Sequence, residues 1–344
     1  MINAAVVGYG YSGRSFHTYL IPLADGLNLY AVSTRDASRR EAAAKERGVK
    51  TYANIDDLLQ DDNVDLVVLA TPHNTHAELA IKAMDAGKHV VTDKAMCMNA
   101  AEADAMIEAS KRNNVMLSVF HNRRWDWDYL TVKKVIADGM IGEPFYFEST
   151  IMRYGPPRGW RGVKAQSGGI MYDWGAHLLD HALQLVPSAV ERVSCEIQYR
   201  GWDVDIGSYG KLLLHFQNGV LYQIEISNLA RVDKPRWYVL GETGGLIKYG
   251  LDPQEGPMVK GDIDAAVEDP AQRATVFTEV NGEVKEMVID SVRGSWKSYY
   301  QNISDVLNKG AELAVKPEEA RRAMMIYDAA MKSADTGETM KVNI

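Results

Sequence analysis

The apolar run Ile2–Val7 ends directly on Gly8-Tyr9-Gly10-Tyr11-Ser12-Gly13, and a helical pattern follows at once. Three glycines in this spacing say little alone, but between a strand and a helix they constrain the fold strongly. The first permits a tight turn, the second lets the backbone approach a pyrophosphate, and the third lets helix and sheet pack closely. The helix start then adds N–H donors and partial positive charge for the phosphates, so Gly8, Gly10, Tyr11, Ser12 and Gly13 are expected to hold a dinucleotide.

The rest of the first 120 residues repeats the strand-helix alternation. Runs at 2–7, 27–33, 64–70, 89–92 and 115–120 are rich in β-branched and apolar residues. Gly48 and Gly87 stand where helices should end, and Asn99 with Glu102 has the spacing of an N-terminal capping box. Such alternation implies α/β architecture, an N-terminal doubly wound parallel sheet of Rossmann type, with ligands at the carboxyl ends of the strands. Those ends carry Ser33, Thr34 and Arg35, then Thr71, Pro72 and His76, then Asp93 and Lys94, then Asn122, and all are expected near the cofactor.

The pattern changes after residue 122. A helix at 129–137 and a strand at 144–152 precede a Gly/Pro/Arg loop and a helix at 169–185. β-rich runs follow at 193–199, 209–216, 220–227, 237–240 and 246–249, with Asn218-Gly219 as a hairpin turn. The second domain, 123–344, is expected to be α+β on a largely antiparallel open sheet, closed by helices at 296–309 and 317–336, with 252–272 a mobile loop. It should bind substrate and mediate self-association into a homodimer or homotetramer, with Tyr199, Trp202 and Trp237 as exposed aromatic candidates.

A formal charge of −8 and a pI near 5.6 oppose nonspecific binding to nucleic acid or anionic membranes and favour a small-molecule partner. No apolar run approaches the roughly 20 residues of a membrane span, and a cytoplasmic location is expected. Cys97 and Cys195 are too few for a disulfide framework or a four-ligand zinc site and are read as small buried side chains.

Cofactor choice turns on the end of the second strand, where an NAD site usually carries an acid. Thr34 stands there instead, and Ser33 with Arg35 suits a 2′-phosphate, so NADP(H) is favoured. If Arg35 is only a solvated charge and Asp36 only caps the next helix, NAD(H) remains open. Downstream, Asp173 and His177 lie four apart on an otherwise apolar helix that also carries Asp180 and His181. Buried ionisable groups need partners or work to do. His177 and His181 with Asp173 are a weaker metal-ligand alternative, and no metal is expected.

The glycine turn, Ala70-Thr71-Pro72 with His76, the Ala-Gly-Lys-His-Val segment ending in Lys94, and Gly168-Gly169 leading to Asp173, Gly175 and His177 together resemble the Gfo/Idh/MocA oxidoreductases. The resemblance runs over nearly the whole chain. Within the family, His121-Asn122-Arg123-Arg124-Trp125-Asp126 is most similar to the branch containing scyllo-inositol dehydrogenases. The resemblance implies that Lys94, Asp173 and His177 form the catalytic trio and that Trp160 and Arg161 lie near the cofactor. It further implies hydride exchange between a nicotinamide and an alcohol or ketone carbon of a sugar, glycoside or cyclic polyol. Asn122, Tyr154, Arg158 and Tyr172 join the trio as substrate-binding candidates. Two rivals are a nicotinamide-dependent glycosidase without net redox change and a non-catalytic dinucleotide-binding regulator. The chain departs from the family at one point: Asp93-Lys94-Ala95 stands where Glu-Lys-Pro is usual, and with alanine in place of proline a trans Lys94-Ala95 bond is expected.

Overall fold

The computed structural model describes residues 1–344, and the chain divides into two compact units. The first comprises 1–122, 254–266 and 295–321, and the second 123–253, 267–294 and 322–344. The chain leaves the first unit after Asn122 and returns to it twice, so the second is not the uninterrupted stretch 123–344 expected from the sequence.

The first unit is built on β1 (Ile2–Val7), β2 (Leu27–Ser33), β3 (Lys50–Tyr52), β4 (Leu66–Leu69), β5 (His89–Thr92) and β6 (Leu117–Val119). Their order is β3-β2-β1-β4-β5-β6, all parallel. Every residue of β4 is buried, as are Val90 and Val91 of β5, because helices cover both faces of a parallel sheet. Local signals stop the helices where expected. Gly48 ends Ala37–Arg47 at φ 66°, and the Asn99 side chain accepts from Glu102 N at 2.9 Å. The Glu102 carboxylate accepts from Met98 N, one residue earlier than a reciprocal box requires. The helix Lys297–Lys309, expected to close the second domain, belongs to the first unit, where Tyr299 donates to Ser118 Oγ at 3.0 Å.

The second unit holds β7 (Pro144–Met152), β8 (Val190–Gln198), β9 (Tyr209–Phe216), β10 (Leu221–Ser227), β11 (Trp237–Gly241), β12 (Gly244–Lys248), β13 (Ala274–Val280), β14 (Glu283–Ile289) and β15 (Met340–Lys341). They form one sheet in the order β14-β13-β12-β11-β7-β10-β9-β8-β15, antiparallel except for β7 beside β10. The hairpin β13–β14 turns at Asn281-Gly282, with Asn281 at φ 54° and Gly282 at φ 80°. Segment 252–272, expected as a mobile loop, contains the helical turns Glu255–Val259, Ile263–Ala265 and Pro270–Gln272, with Asp252 and Gln254 buried. Trp237, expected on the surface, is fully buried and donates its indole N–H to Asp128 at 2.9 Å, whereas Tyr199 is 53% exposed. No helix is long and apolar enough to cross a membrane.

Candidate functional site

The three glycines of the turn occupy three different environments. A Cβ on Gly8, which sits at φ 102°, would lie 2.3 Å from Ala70 O, and one on Gly13 would lie 2.0 Å from Gly8 O. Both positions are closed to any side chain by backbone. At Gly10 the nearest atom is the Arg39 guanidinium, 4.0 Å away. Gly10 therefore leaves open the surface a pyrophosphate would approach, and these residues fit a dinucleotide. That surface borders a cavity of about 330 Å³ lined by Tyr11, Arg14, Ser38 and Arg39 among others.

Ser12 is held differently from the expectation of a direct cofactor ligand. Its hydroxyl donates to Asp93 Oδ2 at 2.5 Å, while Asp93 Oδ1 accepts from Lys94 N at 2.8 Å. Burial alone would raise the Asp93 carboxyl, but His17, Lys94 and Ser12 outweigh it and hold it well below the usual carboxylate range. His17 Nε2 lies 3.6 Å from Asp93, and its Nδ1 meets the Tyr300 hydroxyl at 2.6 Å. His17 stands in Gly13–His17, where the helix after the turn widens to π geometry, a local form frequent at functional sites. A buried chain of polar contacts thus ties the glycine turn to the residue preceding Lys94.

The Lys94-Ala95 bond is cis, which corrects the expectation of a trans bond. Intrinsic isomer preference was the wrong guide, because the fold surrounds this peptide: Ala95 is fully buried and its carbonyl faces His76 Nδ1 at 2.9 Å. His76 is itself fully buried, with Nε2 3.0 Å from Thr71 O, so it braces two loops and presents no surface to a ligand. Burial lowers its pKa. The neutral ring can donate to only one of the two carbonyls. Thr71 and Pro72 are half-buried at the carboxyl end of β4, and Lys94 is half-buried just beyond β5.

At the end of β2, Ser33 is buried, Thr34 half-buried and Arg35 exposed. Asp36 caps the following helix, accepting from Arg39 N at 3.2 Å. Arg39, a cation not singled out from the sequence, lines the cavity beside the glycine turn. Its position in the first turn of the helix after β2, three residues past an N-cap, could have found it. Asn122, last residue of the first unit's opening segment, is buried, and its amide nitrogen has no hydrogen-bond partner.

In the second unit, the helix read at 169–185 divides into Ile170–Asp173 and Gly175–Leu185. Gly175 permits close packing, since a Cβ there would lie 3.3 Å from Tyr327 Oη and 3.4 Å from Ile226 Cδ1. Two of its four ionisable residues are structural. Asp180 accepts from Arg124 at 2.6 and 2.8 Å. His181 Nε2 bonds Arg123 O at 2.8 Å, and the ring stacks on Tyr129. Burial, then the nearby Arg236 guanidinium, push the His181 pKa down to about 4. That leaves Asp173 and His177. Asp173 lines a cavity of about 310 Å³ with Tyr154, Arg158 and Arg161, and its carboxylate lies 3.4 Å from Arg161 Nε. His177 is buried, its ring 6.0 Å from that of Trp174. Trp160 is half-buried, with the Arg161 guanidinium 4.6 Å over its ring. Tyr172 does not line the cavity as expected. It is buried and stacked on Tyr327, 4.4 Å between centroids, with its ring against Gly168, where a Cβ would lie 2.5 Å away.

Comparison with known proteins bears on the family and the fold. Residues 2–121 match the family described as oxidoreductase family, NAD-binding Rossmann fold, and residues 129–247 match the GFO/IDH/MocA C-terminal domain. The chain is 35% identical to the uncharacterized oxidoreductase YdgJ of Escherichia coli (strain K12), covering 98% of both chains. It is 32% identical to scyllo-inositol 2-dehydrogenase (NADP(+)) IolW of Bacillus subtilis (strain 168), covering 98% of this chain and 95% of that one. Among solved structures, an NAD-binding protein from Listeria innocua superposes with a TM-score of 0.86 at 34% identity, over 99% of this chain and 96% of that one. The chain belongs to the Gfo/Idh/MocA oxidoreductases, and its first unit is that family's NAD-binding Rossmann fold.

Proposed function

We propose that this protein is an NAD(P)-dependent dehydrogenase or reductase acting on a secondary alcohol, or the matching ketone, of a sugar or cyclic polyol, with NADP(H) preferred. The observation that carries it lies within the first unit: a Gly10 turn open to a pyrophosphate, and Lys94 directly beyond β5, at the sheet edge where such folds collect their ligands. The relatedness to a scyllo-inositol dehydrogenase supports the substrate class.

The nicotinamide, when bound, supplies the hydride chemistry. In this reading the backbone at Gly10 would approach the pyrophosphate and Arg35 and Arg39 would meet the ribose 2′-phosphate, whereas Ser33, expected to join them, is buried and offers it no surface. The Lys94 ammonium stabilises the negative charge that develops on the substrate oxygen during oxidation. A His177 ring nitrogen accepts the hydroxyl proton, and Asp173 orients the substrate or the histidine. A screen of inositols, aldoses, ketoses and glycosides with NADP and NAD, read by nicotinamide absorbance, tests the assignment. Turnover with net cofactor reduction is expected, and cofactor binding without turnover of any such compound would overturn it.

Self-association through the open face of the second sheet is part of the same reading. Tyr238, Ile247, Thr275 and Val288 stand opposite one another across four strands, on one face that Phe277 shares. Tyr238 is 38% and Val288 62% exposed, an apolar row that a second copy would cover. Sedimentation at micromolar concentration should show a dimer or tetramer, and a monomer alone would contradict this.

A further inference from the structure

The segment leaving β7 reads Arg153-Tyr154-Gly155-Pro156-Pro157-Arg158-Gly159-Trp160-Arg161, and it forms one wall of the 310 Å³ cavity in the second unit. Three arginines, Arg153, Arg158 and Arg161, line this space with a single acidic residue, Asp173. Its carboxylate is engaged by Arg161 at 3.4 Å. Arg153 lies 4.4 Å over the Trp174 ring, and Arg231 stacks 3.5 Å over Tyr154, another residue of the wall. Arg158 is exposed and has neither an ion pair nor a hydrogen bond within the protein. The chain as a whole carries a charge of −8, so this surplus of cations is local.

A neutral polyol offers only hydroxyls, which amides, carboxylates and imidazoles recognise as well as arginine does. The planar guanidinium fork is matched instead to carboxylate and phosphate. Like charges gathered around one cavity also repel one another, and a neutral ligand leaves that repulsion standing while an anion offsets it. We infer that the substrate carries an anionic group, a carboxylate or a phosphate, beside the carbon that is oxidised. Arg158 receives that group with Arg153 adjacent, while Arg161 stays neutralised by Asp173. The inference rests on reading the chain as a sugar or polyol oxidoreductase and narrows that class to sugar acids or sugar phosphates.

The test compares neutral and anionic partners of one skeleton: glucose against glucuronate and glucose 6-phosphate, and myo-inositol against an inositol monophosphate. The anionic member should exceed its neutral partner about 10- to 100-fold in kcat/KM, the span of a charge-assisted hydrogen bond. Which anion leads identifies carboxylate or phosphate. Arg158→Ala should raise KM for the anionic compound and collapse the ratio, and Arg158→Lys should restore part of it. Equal or better turnover of the neutral partners overturns the inference while the oxidoreductase reading stands. So does an Arg158→Ala variant that weakens NADPH binding yet keeps the ratio, since the arginine then serves the cofactor. If nothing is turned over, calorimetry on the NADPH-loaded protein decides. Binding of glucuronate or glucose 6-phosphate, absent for glucose and lost in Arg158→Glu, supports the anion site although the oxidoreductase reading has failed, and no binding overturns it.

Discussion

Replacing Gly10 and Gly13 separately by alanine should separate the cofactor role of the turn from its packing role. At Gly13 the new methyl would lie 2.0 Å from Gly8 O and 2.9 Å from Gly8 C, against the 3.4 Å at which ordinary contact begins. The obstacle is backbone at the carboxyl end of β1, an inner strand of the parallel sheet, so the helix must lift by more than a side-chain adjustment allows. Overpacking of this kind costs about 1–3 kcal/mol, and this position belongs at the upper end. At Gly10 the methyl meets nothing closer than the flexible Arg39 terminus at 4.0 Å. Stability should hold or rise by a few tenths of a kcal/mol as the unfolded chain loses freedom. The same methyl enters the space through which a pyrophosphate would approach the backbone. Loss of one hydrogen bond to a charged phosphate, about 1.5–3 kcal/mol, weakens NADP(H) about 10- to 100-fold. Urea unfolding followed by circular dichroism and fluorescence titration with NADPH read the two effects. A Gly10→Ala variant with unchanged affinity would refute the dinucleotide argument, and a Gly13→Ala variant as stable as the parent would refute the packing argument.

Arg35→Ala and Arg39→Ala should each lower kcat/KM with NADP more than with NAD, and together should erase the preference. An NAD preference in the parent protein would sink the assignment. His177→Ala should lose about 10²- to 10⁴-fold in kcat at neutral pH while keeping NADPH affinity, and near-normal turnover would show the base to be another group. The depressed His181 pKa makes the second unit acid-sensitive. Between its ordinary 6.5 and about 4, the unfolded chain binds a proton that the folded one refuses, so stability present at pH 7 is lost as pH falls through that window. The loss approaches about 3 kcal/mol, and His76, also held down by burial, adds to it in the first unit. Urea midpoints at pH 7 and 4.5 measure the effect, and His181→Gln should flatten it.

Much of the first sheet was legible because its inner strands β1, β4 and β5 are buried over most of their length on both faces and so read as continuous apolar runs. β3 escaped because three residues, Lys50–Tyr52, carry no pattern. β13 and β14 both escaped for a different reason: Glu283–Ile289 is almost wholly exposed, so its hydrophobic alternation is blurred by charge, and the turn at Asn281-Gly282 between them was not singled out. The helical pattern of Lys297–Lys309 was readable, but the unit it joins depends on a long-range partner, Ser118, that no local signal specifies. Among the candidate site residues, spacing put Asp173 and His177 on one helix face, yet it could not distinguish them from Asp180 and His181. That distinction lies in Arg124 and the Arg123 carbonyl, more than 50 positions away. The cis bond at Ala95 was hidden because proline, its usual sign, is absent, and the packing that sets it is tertiary.

The central claim is net hydride exchange between nicotinamide and a substrate carbon. It is tested most directly by turning over the best substrate of the screen with deuterium at each hydroxyl-bearing carbon in turn, then examining the reduced cofactor by NMR. The account predicts deuterium at C4 of the nicotinamide from one position only, with stoichiometric ketone, and the same transfer slowed about 10²- to 10⁴-fold in His177→Ala. Sugar release with no net cofactor reduction would assign the chain to nicotinamide-dependent glycoside cleavage instead, and tight cofactor binding with no label transferred from any substrate would contradict catalysis altogether.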